Sequence, residues 1–215
     1  MLNNIIFDWS GTLVDDLEAV RVSTNYALSK EGFPKMTMSQ FRSEFSLPFD
    51  AFYRRVAPSV TLENIDKWYR EKFVEEQENI RPLPYAELFC DFCRENGIKT
   101  FLLSTVNADH YQEQSKKIRF NFDKEYVGVM DKRKRIASIL DDNQLRSEET
   151  VFIGDMQHDI ETAKIGKIGS CAVLTGYNNR SQLEKVRPDM IVDNLGQLQQ
   201  VIEEADFKWP PTDNL

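Results

Sequence analysis

The chain has 215 residues, 35 of them acidic and 27 basic, for a net charge of -8 and a pI near 5.0. That balance excludes a nucleic-acid binder, which needs a basic surface to replace counterions. It leaves anionic small molecules open, because one pocket can reverse the local field. The longest apolar runs are short, such as "TFLLSTV", so no membrane-spanning segment is expected, and no basic-then-apolar stretch that would read as a signal peptide is visible at the start. A cytoplasmic protein is expected, monomeric or dimeric, long enough to bury a core as one domain or one domain carrying an insertion.

The first expected strand, 3–7, delivers Asp8 into a turn built on Ser10, Gly11 and Thr12, within "FDWSGTLVDD". From 15 to 82 no strand is expected. Leu17, Val20, Thr24, Ala27 and Leu28 make one amphipathic helical face, and Thr61 caps a second helix with Leu62, Ile65, Tyr69 and Phe73 on its apolar side. Prolines at 34, 48, 58, 82 and 84 punctuate this stretch.

Next comes a CxxC, Cys90 and Cys93. It has no second CxxC to complete a zinc site, and helical spacing turns Cys93 toward a core. Four more short apolar strands are expected at 99–103, 150–153, 170–174 and 190–192, alternating with helical patterns such as Ile136, Ile139 and Leu140. That alternation predicts βαβ units. The fold class is therefore α/β: a Rossmann-like parallel sheet core formed by 1–14 and 83–205, with an inserted α-helical cap at 15–82 and a tail at 206–215. Trp209 in that tail is expected to fold back on the body.

Chemistry concentrates at the ends of strands. Asp8 follows the first strand, Ser104 and Thr105 the second, and Asp155 the third, with Asp159 one helical turn further on. A basic segment, "MDKRKRIASIL", precedes a helix. Strand ends in open α/β sheets meet at one carboxyl edge, where ligands bind. Carboxylates converging there repel one another unless a cation sits between them, and a few oxygen ligands suit Mg²⁺. Ser104, a backbone N–H and a lysine would then grip a phosphoryl group for in-line attack by a carboxylate.

In this order and spacing, the strand–DxxGTLVD, strand–ST, lysine and strand–GDxxxD stretches resemble the haloacid dehalogenase superfamily of phosphohydrolases. "GYNNRSQLEKVRPDMIVDNLGQL" is similar to the tail of its phosphoglycolate-phosphatase-like members. The resemblance implies a helical cap of the C1 type that closes over the site and selects the substrate, a phosphorylated small molecule. It implies that Asp8 is the nucleophile and a Mg²⁺ ligand, with the Ser10 carbonyl and Asp155 completing the protein ligands and Asp159 supporting them from behind. Ser104 and Thr105 would hold the phosphoryl group. Lys132 matches the family lysine best by its distance from Asp155, with Lys134 the runner-up.

Ser10 departs from that family. Its typical phosphatases carry an aspartate there, which acts as general acid and then general base, and a serine hydroxyl has no proton to give near neutral pH. The expected function is a Mg²⁺-dependent phosphatase that lacks the usual acid. The alternatives are a phosphonatase-type C–P hydrolase, for which the cap offers Lys30, Lys35, Lys67 and Lys72, and a silent binding protein. His158 is expected at the surface or as a helix cap. Arg54 and Arg55 are candidates for a substrate acid, with solvent the favoured partner.

Overall fold

A computed structural model describes residues 1–210. Of the expected tail, 211–215 lie outside the described residues. Six parallel strands form one sheet in the order β5-β4-β1-β6-β7-β8. They are β1 (Asn4–Phe7), β4 (Lys99–Leu103), β5 (Lys124–Tyr126), β6 (Thr150–Gly154), β7 (Gly169–Val173) and β8 (Met190–Val192). The remaining strands, β2 (Val14–Asp15) and β3 (Arg81–Pro82), pair antiparallel as a separate ribbon.

β1 is central and wholly buried, so both of its faces must be apolar. Ile6 faces one layer with Phe101, Phe152 and, from α7 (Lys132–Asp142), Ile136 and Ile139. Ile5 and Phe7 face the other, where α5 (Ala86–Glu95) contributes Phe89 and α10 (Leu195–Glu204) contributes Leu198. α6 (Ala108–Ser115), α8 (Gln157–Gly166) and the short α9 (Arg180–Lys185) complete the α/β body.

Between the two strands of the ribbon lie only helices: α1 (Leu17–Ser29), α2 (Met38–Glu44), α3 (Phe49–Val56) and α4 (Leu62–Glu76). The expected α1 face is buried in full. Thr61 caps α4 by accepting from the Asn64 N–H, as its position predicts. Trp209 is partly buried against the body, its indole lying on Gly169. Cys93 is buried and Cys90 half-buried, both as free thiols, and burial pushes the Cys90 thiol up to about 12. Such a thiol is no nucleophile or redox partner at neutral pH.

Strand register brings the chemistry-bearing residues to one edge. Phe7 is level with Leu102 on one side and Ile153 on the other. Asp8 therefore leaves the sheet between the ends of β4 and β6, one residue short of Ser104 and Asp155.

Candidate active site

Three carboxylates meet at that edge. Asp8, Asp155 and Asp159 each place an oxygen within 4.8 Å of the others, and all three are buried. Lys132 lies between two of them, its Nζ 2.7 Å from Asp8 Oδ1 and 2.7 Å from Asp159 Oδ1. Lys134 is exposed, so of the two candidate lysines only Lys132 enters the cluster. Burial alone would depress the Lys132 ammonium, but Asp159 and Asp8 beside it overcome that and hold it above its ordinary value. Burial raises Asp8, with Lys132 pulling the other way, and raises Asp155 further, with Asp159 and Asp8 adding repulsion.

Local sequence sets each side chain. The Asp8 carboxylate accepts from the Trp9 N–H at 2.7 Å. Gly11, at φ +70, brings its backbone against the Asp155 carboxylate, where a Cβ would collide, and Gly176 does the same from the loop after β7. Thr175 Oγ1 donates to the Gly11 carbonyl at 2.6 Å, tying that loop to the turn after β1. Asp155 Oδ2 accepts from the Tyr177 N–H at 2.6 Å. Asp159 spends both oxygens on protein partners, Oδ1 on Lys132 and Oδ2 on the Met156 N–H at 3.0 Å. It holds the lysine and the helix start rather than pointing free.

The cluster suits a divalent cation. Three carboxylates against one ammonium leave two negative charges uncompensated in a dry setting, where uncompensated charge is costly. All the donors are oxygens, the hard set that Mg²⁺ takes.

Ser104 is buried, and Thr105 and Ser10 are half-buried. Thr105 and Ser10 line a cavity of about 380 Å³ between the sheet edge and the helices. Asp16 lines it too, and its position gives no sign of that in the sequence, where an acid at the start of a helix reads as a cap. It is the N-cap of α1, yet its carboxylate makes no capping bond. It accepts from the Tyr177 hydroxyl at 3.0 Å instead, and the Ser10 hydroxyl sits against it. Burial pushes its pKa up to about 7. Tyr177 is equally hidden: it belongs to the "GYNN" stretch, but its contacts to Asp155 and Asp16 span 22 and 161 residues.

His158 is buried rather than at the surface. Its Nε2 accepts from the Lys132 N–H at 3.2 Å, which caps α7, and burial lowers its pKa to about 4. Arg54 and Arg55 are turned outward, paired with Asp50 and Glu44. Of the cap lysines, Lys30, Lys35 and Lys67 are exposed and Lys72 is held by Glu75 and Glu76.

Behind Asp8 the buried Trp9 indole donates to Gln114 Oε1 at 2.6 Å, edge-on to Tyr111 and Phe120. Trp9→Phe strands that buried amide and is expected to cost about 1–3 kcal/mol. The measurement is a lower urea midpoint at unchanged slope; an unchanged midpoint would show the bond to be dispensable.

The comparisons agree with this geometry. Residues 5–173 match the family model for haloacid dehalogenase-like hydrolases. A phosphoglycolate phosphatase from Vibrio vulnificus is 22% identical over 92% of this chain and 95% of its own length. A 5'-nucleotidase from Pseudomonas aeruginosa is 23% identical over 93% and 95%. The crystal structure of a predicted phosphatase from Clostridium acetobutylicum superposes with a TM-score of 0.84, covering 95% of this chain and 99% of that one at 19% identity. Among the described residues no helix is long and apolar enough to cross a membrane. With its parallel sheet, its buried acidic edge and a family match over most of its length, the chain belongs to the haloacid dehalogenase-like hydrolases.

Proposed function

We propose that the protein is a Mg²⁺-dependent phosphatase for a small phosphorylated metabolite, working through an aspartyl-phosphate on Asp8, with Asp16 doing the proton work that Ser10 cannot. The observation that carries this is the buried Asp8–Lys132–Asp159 bridge with Asp155 beside it, and Asp8 is close in the chain to Ser10, which with Thr105 and Asp16 lines a cavity large enough for an organic phosphate. Asp8, the Ser10 carbonyl and Asp155 would hold Mg²⁺, which would neutralise and orient phosphoryl oxygens.

In this reading Lys132 keeps Asp8 ionised and faced toward the phosphorus. Ser104 and Thr105 hold the phosphoryl oxygens. An Asp8 oxygen attacks in line as the ester P–O bond breaks, and the departing alkoxide takes the proton of Asp16. Water then attacks the acyl phosphate, giving its proton to the Asp16 carboxylate, and phosphate leaves with Asp8 restored. Asp16 is placed for this by the Tyr177 hydroxyl and by its seat on the cavity wall. C–P cleavage through a cap lysine is disfavoured, because no lysine of the helical segment lines the cavity among the described residues.

The test compares p-nitrophenyl phosphate, acetyl phosphate and a plain alkyl phosphate, with Mg²⁺ and with chelator, beside calorimetric Mg²⁺ binding. Metal-dependent turnover of the first two is expected. Mg²⁺ binding with no turnover of any would move the assignment to a silent binding protein.

Asp16→Asn is expected to lower kcat on the alkyl ester by about 10² to 10⁴ and to change p-nitrophenyl phosphate by a few-fold at most. Because the acid form is the one needed, wild-type alkyl turnover should fall as pH rises through about 7. A variant equally impaired on both substrates would make Asp16 structural.

A further inference from the structure

Building on the phosphatase reading, we infer that the leaving group this site accepts is an uncharged, ring-bearing alcohol, and that substrates carrying a second anion, such as a carboxylate or another phosphate, are turned away. The wall of the cavity opposite the sheet edge is apolar and aromatic. Phe45, Phe49, Tyr53, Tyr69 and Phe73 from the helical segment face Tyr177 from the core. Rings of this kind bury a flat apolar group well and prefer edge-on or offset contact with another ring.

The charges on that wall decide the rest. Asp50 and Asp66 line the cavity, and Arg70 is the one cationic side chain that does so among the described residues. Arg70 is already committed: its Nε holds Asp66 Oδ2 at 2.8 Å, and its guanidinium lies 4.0 Å from Asp109. Asp50 is held by Arg54 at 3.0 Å. His110 also lines the cavity, and burial, with Arg70 nearby, lowers its pKa and keeps the ring neutral.

An anion on the leaving group would thus meet two carboxylates and an arginine that already has partners, all partly open to solvent. Like charges set against one another across a contact are what turns a wrong ligand away. The phosphoryl end does not share the difficulty, because Lys132 and the cation-seeking carboxylates lie at the sheet edge, where Ser10 and Thr105 give onto the cavity.

The experiment measures kcat/KM with Mg²⁺ for 2-phenylethyl phosphate, ethyl phosphate and 2-phosphoglycolate, all primary alkyl esters, with acetyl phosphate as reference. The phenylethyl ester is expected to exceed phosphoglycolate by about 10²-fold or more, with ethyl phosphate between them. Asp66→Asn, which releases Arg70, is expected to raise the ratio of phosphoglycolate to acetyl phosphate turnover about tenfold. Turnover of acetyl phosphate with phosphoglycolate equal to or better than the phenylethyl ester would overturn this inference alone. No turnover of acetyl phosphate would overturn the phosphatase reading and this inference with it.

Discussion

Asp8→Asn is expected to lower kcat on p-nitrophenyl phosphate by about 10⁴-fold or more, the scale on which loss of a nucleophile is felt. The substitution isolates chemistry from structure unusually well. Asparagine keeps the oxygen that accepts from the Trp9 N–H and contacts Lys132. It removes one of three carboxylate charges from a buried cluster that has only one ammonium to balance them. The folded protein should therefore be as stable as the wild type or more so, and thermal melts beside the rates check this. A melt at or above the wild-type temperature with activity gone places Asp8 in the reaction. Retention of more than a tenth of the activity would remove Asp8 as the attacking group.

Lys132→Met should act on both stability and rate. Methionine fills much of the same space but leaves Asp8 and Asp159 without the ammonium that each meets at 2.7 Å. Removing one partner from a buried ion pair costs about 3–5 kcal/mol, because the remaining charge is stranded. The sign with pH comes from the carboxylates. Burial already raises Asp8 and Asp155, and loss of Lys132 removes the influence that lowers them. Their folded pKa values then lie further above the unfolded ones. The variant's stability is present at low pH and drains away as pH rises through the folded values. Urea unfolding of the variant should give a markedly higher midpoint at pH 5 than at pH 8, and millimolar Mg²⁺ should recover part of the loss at pH 8. A variant as stable as the wild type at pH 8 would show the bridge to be ornamental.

Much of the architecture is legible because parallel strands buried on both faces are short and apolar throughout. Strands 99–103 and 190–192 fall where the sequence places them, β1 and β6 differ from 3–7 and 150–153 by a residue at one end, and β7 lies one residue before the expected 170–174. β5 escapes detection for a physical reason. It is an edge strand of three residues, Lys124, Glu125 and Tyr126, whose charged side chains are exposed, and no apolar pattern marks it. The ribbon of β2 and β3 has two residues on each side, too few to carry a period.

The site divides the same way. Asp8, Ser104 and Asp155 are readable because strand ends of a parallel sheet share an edge. Lys132 and Lys134 look alike in a run of basic residues, and only the helix phase, which buries one and exposes the other, separates them. Asp16 and Tyr177 are illegible, since their meeting is a tertiary contact across most of the chain between residue types that ordinarily cap a helix or fill a core.

The ribbon at Val14–Asp15 and Arg81–Pro82 has a consequence for where the acid sits. The chain enters and leaves the helical segment through two strands bonded to each other, so α1 to α4 hang from one tether. Asp16 is the first residue past that tether, whereas Asp8, Lys132 and Asp155 belong to the sheet edge. An acid at position 10 would be bolted to the same frame as the nucleophile. At position 16 it sits at the root of the helices, so in the proposed mechanism the acid belongs to the helical segment and the attacking group to the sheet. On that reading, any displacement of the helices about the ribbon would draw the proton supply away from Tyr177 and leave Asp8 where it is.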